Sequence, residues 1–158
     1  MILDERNEFA DAVSVAAAAG TALIGDVIDL GAASRDIGAG QPLYFILETD
    51  GTEIITGGAA GTIEFRLVSD STANLATSPT VHFSTGTIVT DDAAANDARL
   101  NANSLICSVA LPQGAVYERY LGVLAVIGTT TVTAGTINAY LAMDPYPAQR
   151  AYPDAMPV

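Results

Sequence analysis

The stretch Thr62-Ile63-Glu64-Phe65-Arg66-Leu67-Val68-Ser69 decides the fold class. Ile63, Phe65 and Leu67 point one way, and Glu64 and Arg66 point the other. Successive side chains of a β-strand face opposite sides, so this alternation predicts a strand with an apolar inner face. Upstream, residues 43–49 are apolar on both faces and lie between Gly40-Gln41-Pro42 and Asp50-Gly51. A short apolar run between turn residues reads as a buried strand. Downstream, residues 80–84 alternate again, which puts Val81 and Phe83 inward and His82 on the polar face beside Thr80 and Ser84.

The same reading extends along the chain. Residues 27–30 form a short strand closed by Gly31, and Ile54-Ile55 another fragment. Residues 104–111 place Leu105, Cys107, Val109 and Leu111 on one face before Pro112-Gln113-Gly114. Residues 117–127 are long and apolar, which predicts a central strand, and residues 136–143 alternate Ile137, Ala139, Leu141 and Met143 against Thr136, Asn138 and Tyr140. About eight short strands without a convincing long helix predict an all-β fold. An antiparallel β-sandwich of jelly-roll type is preferred to a barrel.

Two arms flank this domain of residues 21–143. Residues 1–20 read as an N-terminal arm in which a short helix through Ala16–Ala19 and an extended segment are equally compatible with the pattern. Residues 144–158 read as a C-terminal arm. Pro145, Pro147, Pro153 and Pro157 bar regular structure there. The arm nonetheless carries Tyr146, Tyr152 and Met156, and Arg150 can pair with a carboxylate in bidentate fashion. Tyr146, Arg150 and Tyr152 are therefore expected to dock against a neighbouring subunit or another protein, with folding back onto their own sandwich as the alternative.

Composition narrows the chemistry. The 158 residues carry 6 basic and 18 acidic side chains, a net charge of −12, and every basic residue is arginine. Without lysine there is no Schiff-base nucleophile and no Walker-type phosphate lysine. So acidic a chain is a poor partner for nucleic acid or an anionic membrane. Charged residues make up only 15%, below the roughly 25% usual in soluble domains, which suggests a surface partly covered by other subunits. No basic leader precedes the first apolar residues, so synthesis and assembly are expected in the cytoplasm.

Candidate catalytic and metal-binding groups are few. His82 is the single histidine and Cys107 the single cysteine. His82 reads as a solvent-facing strand residue, and Cys107 as a small hydrophobe with no cation nearby in sequence to activate it. Asp91, Asp92 and Asp97 lack the alternating spacing of a calcium loop. The Gly57–Gly61 loop lacks the lysine and following helix of a phosphate cradle and reads as a flexible hairpin tip. No cofactor is expected.

Several segments, in order, carry a resemblance. Arg35-Asp36-Ile37-Gly38-Ala39-Gly40-Gln41-Pro42-Leu43-Tyr44 enters the first long strand. Leu111-Pro112-Gln113-Gly114 precedes Glu118-Arg119-Tyr120-Leu121. Thr133-Ala134-Gly135-Thr136 and Asp144 follow, then Arg150-Ala151-Tyr152-Pro153-Asp154. This order resembles the capsid cement (decoration) protein family of short-tailed bacteriophages, the type first described on a Bordetella phage. It spans nearly the whole chain, with residues 50–103 matching by pattern only. The resemblance implies a non-enzymatic, cofactor-free structural protein of the virion. It would sit on the outer capsid surface, bridge neighbouring major capsid proteins and stabilise the shell. It also implies a small homo-oligomer, a dimer ahead of a trimer. The alternative is a carbohydrate-binding β-sandwich module on a virion or cell surface, since jelly rolls also host lectins. The lack of tryptophan and the placing of the tyrosines weigh against it. An enzyme on the same scaffold is the third reading, disfavoured by the single histidine and the missing lysine.

Overall fold

The computed structural model describes residues 5–31, 37–38, 40–58, 60–90 and 96–143. Eleven strands appear among them: β1 (Glu8–Ser14), β2 (Gly20–Asp29), β3 (Tyr44–Thr49), β4 (Ile55–Thr56), β5 (Gly61–Asp70), β6 (Thr80–Ser84), β7 (Ile88–Thr90), β8 (Leu105–Ala110), β9 (Tyr120–Gly128), β10 (Val132–Ala134) and β11 (Thr136–Ala142). Single 3₁₀ turns lie at Glu5–Asn7 and Ala98–Leu100. No described helix is long and apolar enough to cross a membrane.

Eight strands build two antiparallel sheets, in the orders β1-β11-β3-β8 and β2-β9-β5-β6. β7 pairs with β5, and β4 with β10 in a small separate sheet. Lettering the eight principal strands B to I in chain order gives sheets BIDG and CHEF, the order of a jelly roll. The expected sandwich is therefore present, with its jelly-roll topology.

The core lies between the sheets. Phe9, Phe45 and Phe83 step across it, with ring centroids 6.0 and 6.2 Å apart. Phe45, Leu47, Phe65, Leu67, Val123 and Ile137 have no exposed surface. β9 is buried along Leu121–Ala125, as expected of a central strand.

The structure corrects the reading of the first twenty residues as an arm. β1 pairs with β11, and Phe9 and Val15 are buried in the core. No helix forms at Ala16–Ala19: the Val15 N–H donates to the Gly135 carbonyl, and Ala17 bridges to Val132. Burial of Val15 and cross-strand bonding outweigh the helix propensity of alanine. β2 is also longer than residues 27–30. Its register shifts between Ile24 and Ile28 around Gly25. Gly25 has φ +65°, and a Cβ there would lie 1.9 Å from the Phe9 carbonyl oxygen. Only glycine lets β1 and β2 approach so closely at the sandwich edge. The bulge breaks the alternation that would have marked the whole strand.

Candidate interaction surfaces

Val81 does not point inward. In the β5–β6 pairing, Leu67 faces Phe83 and Val68 faces Val81, so His82 is the extra residue of a bulge. Phe83 stays against the core, whereas Val81 turns outward and is 49% exposed. His82, expected to face solvent, is half-buried. Its Nε2 lies 2.7 Å from Ser69 Oγ, and its ring lies 4.1 Å from that of Tyr117. The Glu118 N–H donates to Ser69 Oγ, and the Tyr117 hydroxyl to the Pro112 carbonyl. The motif from Leu111 to Tyr120 thus forms a connection held onto the β5–β6 pair. Ser69 has no exposed surface, so this Ser–His pair fastens a loop and presents no nucleophile to a substrate.

The other candidates resolve as follows. Cys107 packs against the core, and burial pushes its thiol up to about 12, far from reactive. Asp97 caps the turn at Ala98–Leu100 and holds Arg99 in a bidentate pair, which lowers its carboxyl to about 2. Asp91 and Asp92 lie outside the described residues. Among those described, no group of three His, Cys, Asp or Glu residues could hold a metal ion. The glycine loop is not a hairpin tip, because β4 pairs with β10 and not with β5. At its end a Cβ on Gly61 would meet Thr56, Thr90 and Thr130 at 2.3 to 2.6 Å. Tyr146, Arg150 and Tyr152 lie outside the described residues.

Two broad surfaces remain, the outer faces of the sheets. On the β2-β9-β5-β6 sheet, Leu23, Leu124, Arg66 and Ser84 form one cross-strand row. Gly122, Val68 and Val81 form the next. The connection after β5 folds back over this face. Asp70 accepts from the N–H groups of Thr72 and Thr77, and Leu75 seats against Val68 and Leu124. Burial works to raise the Asp70 carboxyl, but these N–H bonds outweigh it and hold it below the usual carboxylate value. Gly122 makes room, since a Cβ there would lie 2.6 Å from Leu75 Cδ1.

Leu23, Val81 and Val89 stay open on this face, at 38, 49 and 53% exposure. Two ion pairs lie along it. Arg66 grips Glu64 at 2.7 and 2.9 Å, and Ser84 Oγ donates to the same carboxylate. At one end Arg119 grips Asp29 at 2.9 and 2.8 Å and lies 5.0 Å from the centre of the Tyr120 ring. Sequence reasoning missed this surface. Its one sequence signal was Gly122 inside an apolar strand, which marks a close approach.

At the sandwich edge, Glu5, Glu8, Asp11 and Asp26 line a concavity of about 360 Å³. Glu8 is raised above its ordinary value by burial, then by Asp11 and Glu5.

Compared with known families, residues 9–141 match the Bbp16 family, whose name points to a Bordetella phage protein. The match runs from β1 to β11 and so takes in both sheets of the sandwich. A search of curated proteins finds no match.

Proposed function

The chain belongs to the Bbp16 family, and on that premise we propose that it is a structural virion protein that cements a phage capsid. It binds the outer surface of the shell, bridges neighbouring major capsid proteins and works without catalysis or a cofactor. Copies of the chain associate with one another, a dimer ahead of a trimer.

One observation carries this reading beyond family membership. In a chain of net charge −12, the outer face of the β2-β9-β5-β6 sheet exposes Leu23, Val81 and Val89, pairs Arg66 with Glu64 and Arg119 with Asp29, and satisfies the Asp70 carboxylate with backbone N–H groups. Such a surface can be covered by another protein with little cost in stranded charge. Many modest contacts repeated over an icosahedral shell add up to firm attachment through avidity.

Co-sedimentation with shells stripped of this protein tests the proposal. The wild-type chain is expected to pellet with shells to a saturating ratio. The double variant Leu23→Asp/Val81→Asp should keep its melting temperature, because both positions are exposed, yet stay in the supernatant. If both chains pellet equally, this face is not the contact. If neither pellets, the cement reading fails.

A further inference from the structure

The connection between β5 and β6 is a strap across the outer face of its own sheet. Residues 71–79 carry no Asp, Glu, Lys or Arg. Two attachments hold the strap down. The first is a clasp at the end of β5, where Asp70 accepts from the Thr72 N–H at 3.1 Å, the Thr77 N–H at 2.8 Å and the Ser71 hydroxyl at 3.2 Å. The second is a plug. Leu75 is buried against Val68 and Leu124, flanked by Val27 and Tyr120. Among the described residues, Leu75 is the one member of this cluster from outside β2, β5 and β9. Gly122 floors the seat, since a Cβ there would lie 2.6 Å from Leu75 Cδ1 and 3.0 Å from Val27 Cγ1.

Among the described residues, the other hydrogen bonds of 71–78 stay inside the strap. The Leu75 N–H donates to the Thr72 carbonyl, the Ala76 N–H to Asn74 Oδ1, and Thr72 Oγ1 bonds Asn74 and Thr77. The strap is thus a self-bonded unit fastened to the sheet by one carboxylate and one aliphatic side chain. Its backbone is also strained. Leu75 has φ +52° and Ser78 φ +93°, left-handed values that L-residues adopt at a cost. Such strain persists only where the surroundings enforce it, and it recurs at segments that switch. Lifting the strap would release it.

We propose that residues 71–79 are a lid that opens as a unit while the sandwich stays folded, with Leu75 as the plug that fills an aliphatic seat in cis. Opening bares Val27, Val68 and Leu124 next to Leu23 and Val81, so the apolar part of this face grows. The seat takes one uncharged aliphatic side chain. The lid belongs to the chain itself and stands whether or not this face binds a capsid.

Thiol labelling, read at each site by mass spectrometry, tests the lid. Leu124→Cys places a thiol under the lid, and Val123→Cys places one in the core on the next residue of the same strand. Position 124 is expected to be modified at least ~10-fold faster than position 123, because local opening is easier than global unfolding. Asp70→Asn should speed modification at 124 by about tenfold or more through the weakened clasp, and leave 123 unchanged. Leu75→Ala, which keeps the clasp, should do the same. Equal rates at 124 and 123 would show that the strap leaves only when the sandwich unfolds, and would overturn the proposal. So would an equal rise at both positions in the two strap variants. Because a cysteine at 124 could loosen the seat by itself, Val68→Cys is measured beside it. Fast modification at 68 supports the lid, and protection there equal to that at 123 refutes it.

Discussion

At the scale of single residues, His82 shows how one extra residue redirects a side chain. Ser69 Oγ accepts from the Glu118 N–H and shares a second hydrogen bond with His82 Nε2. Burial holds the ring below its ordinary value of 6.5, opposed by the Glu118 carboxylate. The folded state therefore binds this proton less well than the unfolded state. The contribution of His82 to stability is full above about 6.5 and is lost as pH falls through that value towards the folded one. Urea melts between pH 7.5 and 5 are expected to show stability declining with acid. The His82→Gln variant should show a flatter slope over the same range, and an identical slope would remove His82 as the cause. Alternation in the sequence put His82 on the polar side because a bulge is a matter of pairing register, which the residues of one strand do not display.

At the scale of elements, β1 and β9 test the sandwich from its edge and its centre. Phe9 is 1% exposed and meets Phe45 edge to face. Phe9→Ala should cost about 3–5 kcal/mol, the usual range for a buried phenylalanine. A loss below about 1 kcal/mol, typical of a surface substitution, would return β1 to the status of a loose arm. Val123 has no exposed surface and pairs with both Ile24 and Leu67. Val123→Asp would bury an unpaired charge at a cost of several kcal/mol and should abolish soluble folding. A variant that folds and melts like the parent would contradict the central placing of β9. β9 was legible because an uninterrupted apolar run between turns has few other readings. β5 was legible from its alternation. β1 was not, because its register shifts twice against β11, between Glu8 and Ala10 and between Ala10 and Val13. These irregularities suit an edge strand, since they blunt pairing with other chains. They also scramble the period by which a strand is recognised.

At the scale of the whole molecule, the jelly roll offers two broad faces and one acidic edge. The fold class followed from strand spacing, whereas the distinction between the faces did not. It depends on Leu75, Val68 and Leu124 meeting across three segments, and on ion pairs such as Asp29–Arg119 that join residues far apart in the chain. Of these partners the sequence showed only the residue types. In the proposed role, the face of the β2-β9-β5-β6 sheet that exposes Leu23, Val81 and Val89 turns to the shell, and the acidic edge with Glu5, Glu8, Asp11 and Asp26 is left towards solvent or basic groups of the capsid protein. A cryo-EM reconstruction of the phage particle tests this account most directly. It predicts jelly-roll density on the outside of the shell, astride neighbouring capsid subunits, with Leu23, Val81 and Val89 at the contact. Density for this chain inside the shell, in the tail, or nowhere on the particle would contradict it.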